Sequence, residues 1–222
     1  MSAAATLDMT TARRMMVDGQ IRPNDVTSLE ILGAMLAVPR ELFVPPDAAG
    51  QAYLDSVIAI GEGRSLMKPM ALAKLIQAAQ VGAADHVLDL GCGTGYSSAV
   101  LARMAGSVVA LEENAALARK AQEALAKAGA GSVIVATGPL TAGWPAAAPY
   151  DVIFLDGATE VVPEGLASQL KPDGRIVAVF RQGPVGKATV YRLSEGRLLG
   201  RPVFDASAPV LPGFVAPEAF VF

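Results

Sequence analysis

The sequence has 222 residues, 52% hydrophobic and 18% charged, which is enough to bury one main core and far from the composition of a disordered chain. With 18 Lys and Arg against 21 Asp and Glu the formal charge is -3, and the basic residues are scattered, so no nucleic-acid partner is expected. One cysteine, Cys92, and one histidine, His86, exclude an internal disulfide and leave no ligand set for structural zinc. No apolar stretch nears the roughly 20 residues of a membrane-spanning helix, and MSAAATLDMTTARRMM lacks an apolar h-region followed by a cleavage site. No membrane partner and a cytoplasmic setting are the expectation.

Residues 10–40 carry helical spacing: Leu29, Leu32 and Leu36 recur at three- and four-residue steps on one face, and Pro39 closes the run. From 43 to 63 the chain holds Pro45, Pro46, two alternating segments and a Gly-Glu-Gly turn, which reads as an irregular connector. Pro69 then opens a helix through MALAKLIQAA, residues 70–79, because Pro is favoured at the first helical position. Beyond Gly82, short apolar runs alternate with helical stretches: VLDL (87–90), SVVALE (107–112), SVIVA (132–136), YDVIFLD (150–156) and RIVAVF (175–180). That alternation predicts successive βαβ units and an open parallel sheet. Between the second and third runs Leu117, Ala121, Leu125 and Ala128 share a helix face, with Asn114 as N-cap and Gly129 as the stop. KATVYRL, the turn Ser194-Glu195-Gly196 and RLLGRPVF predict an antiparallel hairpin. The stretch ASAPVLPGFVAPEAF, with three prolines, predicts an irregular tail.

The densest signal is VLDLGCGTGYSSAVLA, residues 87–102: an apolar strand, glycines at 91, 93 and 95, then a helix. A tight turn needs freedom at φ, and a backbone that approaches a ligand needs the space a Cβ would fill. Helix-start amides can then receive polar or anionic groups. With Thr94 and Tyr96 the spacing departs from the dinucleotide pattern G-x-G-x-x-G, which disfavours NAD. Glu112 ends the next strand about twenty residues on, where a carboxylate can accept both hydroxyls of a ribose. The alternative keeps Glu112 as a cap of the following helix and the glycines as an ordinary turn.

Asp89-Leu90-Gly91-Cys92-Gly93-Thr94-Gly95 resembles motif I of class I methyltransferases. The order of segments resembles protein-L-isoaspartate O-methyltransferases over nearly the whole chain, through VPRELFVP (38–45), AYLDS (52–56), IGEGRSLMKP (60–69), VLDLGCGTGY (87–96), GWPAAAPYDVIF (143–154) and QLKPDGRIV (169–177). The resemblance implies a Rossmann-like α/β fold: an open, mostly parallel seven-stranded sheet with helices on both faces and an antiparallel C-terminal hairpin. It implies residues 1–82 as a helical extension and acceptor-side loop, packed on a cofactor-binding domain of residues 83–222. The cofactor implied is S-adenosyl-L-methionine, held by Asp89, Gly91, Cys92, Gly93, Gly95, Glu112, Leu140 and Asp156, with no metal. The reaction implied is methyl transfer to the side-chain carboxylate of isoaspartate in a damaged polypeptide. That carboxylate is anionic at neutral pH, its reference pKa being about 4, so alignment matters more than a strong base.

Two loops depart from the family. Where it shows Thr-Ile-Ser, a variable residue and Pro, this chain has Ser65-Leu66-Met67-Lys68-Pro69, so Ser65 is the candidate catalytic donor that orients the acceptor, or else a turn residue. Where the family has Gly-Asp-Gly, with an Asp for the adenine amino group, this chain has Gly138-Pro139-Leu140, leaving backbone groups and apolar side chains to hold the ring. These changes keep open a different acceptor, a small molecule or another polypeptide, or a cofactor-binding interaction protein without catalysis. Asp156 ends the fourth run and either faces the cofactor or serves as a loop acid or cap. His86 and Trp144 read as structural, and Cys92 as a small packing residue with no nucleophilic role.

Overall fold

A computed structural model describes residues 8–183 and 185–217. Period-two alternation builds its central sheet. In β3 (His86–Leu90), β4 (Ser107–Glu112) and β6 (Tyr150–Thr159), side chains at Val87, Val108, Ala110, Val152 and Phe154 enter one core, and those at Leu88, Leu90, Val109, Leu111, Ile153 and Leu155 enter a second. Both faces are apolar, as expected for strands covered on two sides. With β5 (Ile134–Thr137), β7 (Leu170–Arg181), β8 (Gly186–Ser194) and β9 (Arg197–Ala206) the sheet has seven strands in the order β5-β4-β3-β6-β7-β8-β9. Neighbours from β5 to β7 run parallel, and β8 and β9 are antiparallel. The chain steps outward from β3 through β4 to β5 and returns to the far side of β3 with β6. That reversal makes a topological switch point at the carboxyl ends of β3, β4 and β6, the place where open α/β sheets bind ligands.

The first face carries α3 (Pro69–Ala79), α4 (Tyr96–Leu101) and α5 (Ala115–Lys127). Helix α5 forms as its sequence dictates: Asn114 Oδ1 accepts from the Ala116 and Leu117 amides, Leu117, Ala121, Leu125 and Ala128 are buried, and Gly129 at φ +70° lets the Ala130 amide reach the Leu125 carbonyl. The second face is covered by single 3-10 turns at Leu140–Ala142 and Glu164–Gln169 and by Leu211 and Phe214 of the tail. In the tail, the Ala158 amide donates to the Pro209 carbonyl and the Leu211 amide to the Ala158 carbonyl, so this segment adds a strand-like contact to β6. Residues 218–220 of the expected tail lie outside the described residues.

The structure corrects two expectations on the N-terminal side. Residues 10–40 are two helices, α1 (Met9–Met16) and α2 (Leu29–Ala37), separated by a π turn at Val17–Ile21, a 3-10 turn at Arg22–Asn24 and Asp25 at φ +64°. Pro23 and the left-handed Asp25 stop the helical path. In α2, Leu29 is 75% exposed and Leu36 sits at the surface, while Ile31, Leu32, Ala34 and Met35 are buried. The stripe read from spacing is therefore not the packed one, because LEILGAMLA is apolar on nearly every side. The connector, too, is more ordered than expected: β1 (Ile58–Gly61) and β2 (Arg64–Leu66) form a hairpin around Gly61, Glu62 and Gly63, all at positive φ. Arg40, fully buried, ties the preceding segment down by donating to the carbonyls of Ala52 (2.8 Å) and Met67 (2.6 Å).

Among the described residues no helix is long and apolar enough to cross a membrane, and no group of His, Cys, Asp and Glu is arranged to hold a metal ion.

Candidate functional site

The candidate site at the β3/β6 switch is built on the turn after β3. Gly91, Gly93 and Gly95 all have positive φ, at +79°, +56° and +92°. The Gly91 and Cys92 amides both donate to the Leu111 carbonyl, which pins the turn to the end of β4. A Cβ on Gly95 would press on Leu125 and Ala121, so that glycine serves helix packing. Cys92 is buried, burial pushes its thiol well above the ordinary range, and it has no nucleophilic environment.

Two buried carboxylates face the turn. Asp89, on β3, has no exposure; the Ser97 and Ser98 hydroxyls donate to its Oδ2, while Oδ1 has no partner. Asp156 lies in β6 where that strand bulges, advancing from Phe154 to Ala158 while β7 advances only from Val177 to Val179. Its Oδ1 is also buried without a partner. Burial raises the pKa of both, and for Asp89 the charge of Asp156 adds to the rise. Both carboxylates thus keep one buried oxygen without a hydrogen-bond partner, which costs free energy unless a donor or a cation meets it.

Glu112, at the end of β4, is equally buried but fully engaged. Its Oε1 accepts from Arg64 Nη1 at 2.9 Å and from the Asn114 amide at 3.2 Å. Its Oε2 accepts from the same Nη1 and from the Gly93 amide, both at 2.9 Å. Arg64 Nη2 donates to the Gly91 carbonyl at 2.7 Å. These contacts account for the four lone-pair positions of the carboxylate. Arg64 is a site residue that the sequence alone does not reveal. Its signal was a charged residue alternating with Leu66 in a run whose other inward position is apolar, which needs a buried acid to receive it.

Ser65 sits between those two inward-facing residues and is half-buried; the alternation of β2 turns it away from the side that carries Arg64. Met67 is 2% exposed and belongs to the main core. Leu140 is buried in the second core, which also holds Ala136 and Leu111. Gly138 brings the chain against the ring of Trp144, which is partly buried as an anchor of that core. His86 is structural: its ring stacks on Tyr150 at 4.8 Å and its nitrogens bond Ser107 Oγ and the Ala147 carbonyl. The structure therefore brings together Asp89, Gly91, Cys92, Gly93, Glu112 and Asp156, with Leu140 in the second core and Ser65 outside the hydrogen-bonded cluster.

Residues 12–197 match the family described as Protein-L-isoaspartate(D-aspartate) O-methyltransferase. The chain is similar to the protein-L-isoaspartate O-methyltransferase of Methylorubrum extorquens, 43% identical over 85% of this chain and 81% of the relative. It is similar also to that of Methylorubrum populi, 39% identical over 83% and 85%. Among solved structures, its fold matches a Plasmodium falciparum protein of the same description, in complex with S-adenosyl-L-homocysteine, with a TM-score of 0.78 at 15% identity over 90% of this chain and 97% of that one.

Proposed function

The chain belongs to the protein-L-isoaspartate(D-aspartate) O-methyltransferase family and is a methyltransferase of that class; from this premise we propose that it transfers a methyl group from S-adenosylmethionine to the side-chain carboxylate of isoaspartyl residues in polypeptides. The observation that carries the residue assignment is the enclosed pair Asp89 and Asp156, each with an oxygen that has no partner, beside a turn of three positive-φ glycines. S-adenosylmethionine carries an ammonium and a sulfonium, and these oxygens fit a cation. The ribose acceptor of this reading is Glu112, and it fits once Arg64 is withdrawn from it. Leu140 and the backbone at Gly138 and Pro139 supply an apolar edge for the adenine, with no side-chain acceptor.

When bound, the cofactor supplies an electrophilic methyl group. The chain's own residues have to align an acceptor that is already anionic, since a free carboxyl has a pKa of about 4. Asp89 and Asp156, whose raised pKa values a bound cation would lower again, hold the cofactor's positive end in a water-poor setting where electrostatic contacts are strong. The acceptor side falls to residues 8–82, with Ser65 as the candidate donor to the acceptor carboxylate.

The experiment is methyl transfer to an isoaspartyl peptide with the matching aspartyl peptide as control. Transfer to the isoaspartyl peptide alone supports the reading. Cofactor binding with no transfer to either peptide moves the chain to the alternative of a different acceptor.

A further inference from the structure

Side chains from outside the glycine turn fill the space its glycines leave open. A Cβ placed on Gly91 would lie 2.7 Å from Leu211 Cδ2 and 3.1 Å from Arg64 Nη2, and one on Gly93 would lie 2.6 Å from Ile60 Cδ1. Gly157, next to Asp156, meets the same Leu211 at 2.6 Å. Ile60 and Arg64 come from the β1–β2 hairpin and Leu211 from the tail, which lies beyond the residues 12–197 that match the family. The open approach to a ligand expected of these glycines is instead an approach by the protein itself.

Arg64 does more than fill space. Its guanidinium engages both oxygens of Glu112 at the end of β4 and, with Nη2, the Gly91 carbonyl in the turn after β3. We propose that Arg64 is an internal occupant of the ribose site, backed by Leu211, and that S-adenosylmethionine enters only by displacing the guanidinium from Glu112. The inference rests on the cofactor reading above and concerns the site before the ligand arrives. Ribose hydroxyls would bond the same carboxylate but bring no counter-charge, and removing the guanidinium leaves a buried carboxylate without one, so hydroxyls alone do not outcompete the ion pair. The closed state then dominates in the free protein, and the apparent affinity falls by the fraction of molecules that are open. The hairpin carrying Arg64 can yield: its turn holds Gly61 and Gly63, and Glu62 at its tip is tied to Asn114 by an exposed hydrogen bond of 3.2 Å.

The test is calorimetric titration of the full chain with S-adenosyl-L-homocysteine, for wild type, Arg64→Gln, Arg64→Lys and Leu211→Ala. Arg64→Gln is expected to bind at least about tenfold tighter than wild type. Arg64→Lys is expected to fall between them, because an ammonium is a point charge that does not span Glu112 and the Gly91 carbonyl together. Leu211→Ala is expected to gain a smaller factor. Measurable wild-type binding with an equal or weaker Arg64→Gln overturns the proposal and leaves the cofactor reading standing. No binding by any of the four proteins overturns both. Where Arg64→Gln does not fold, Arg64→Lys carries the comparison, and affinity at or below wild type overturns the proposal. Thermal shift gives a second readout: saturating ligand should raise the Tm of Arg64→Gln by more than it raises that of wild type.

Discussion

Asp89 and Glu112 end neighbouring parallel strands, both fully buried, yet the fold treats them in opposite ways. Asp89 receives two serine hydroxyls on one oxygen and nothing on the other, and burial beside Asp156 pushes its pKa up. Glu112 receives a guanidinium and two backbone amides. A carboxylate can be buried by keeping its proton or by acquiring a counter-charge, and this site uses both. The first leaves a place that a cation would improve. The second leaves a place that a neutral ligand can take only by breaking an ion pair.

The largest effect should come from breaking that ion pair. Arg64→Gln leaves Glu112 charged and buried with only amide donors, so urea denaturation should show a loss of about 3–5 kcal/mol, even as ligand affinity rises. A loss within experimental error would mean that the pair is weak and the two carboxylates differ less than their contacts suggest. Gly93→Val comes next. Valine at φ +56° is strained, but the atom it first meets is the flexible end of Ile60, so the chain should still fold. Titration should show cofactor affinity falling about a hundredfold, close to 2.7 kcal/mol. Met67→Ser puts a hydroxyl into the main core and should lower stability by about 2 kcal/mol, with no rise in isoaspartyl methyl transfer. A clear rise in rate would place Met67 at the acceptor instead.

A pH dependence also separates the two carboxylates. The folded pKa of Asp89, pushed up to about 8, exceeds its unfolded value, so between those values the folded state binds more protons than the unfolded one. Stability from this group is therefore present at low pH and is lost as pH rises from about 4 through about 8. Asp89→Asn should melt higher than wild type at pH 8 and close to it near pH 4. A variant that melts lower at pH 8 would mean that Asp89 is charged and satisfied like Glu112.

The sheet was legible because its signals are local and repeated. Each parallel strand is a short apolar run, α5 carries both of its caps, and the last hairpin turns on Glu195 and Gly196, both at positive φ as that turn type needs. The glycine turn and its two acids were legible for the same reason. The plug was not, because Arg64 and Glu112 are 48 residues apart in sequence and meet only through the fold. Leu211 sits in a proline-rich tail whose spacing gives no period. The β1–β2 hairpin escaped because strands of four and three residues are too short for alternation to stand out. In α2 the reverse problem arose: too many apolar residues for spacing to choose the buried side.

The most direct measurement is a crystal structure of the wild-type chain with S-adenosyl-L-homocysteine at saturating concentration. The expected result is the ribose hydroxyls on Glu112, the amino group beside Asp89 and Asp156, and Arg64 swung clear of both Glu112 and the Gly91 carbonyl. A ligand bound with the Arg64–Glu112 pair intact, or crystals that take up no ligand at that concentration, would contradict it.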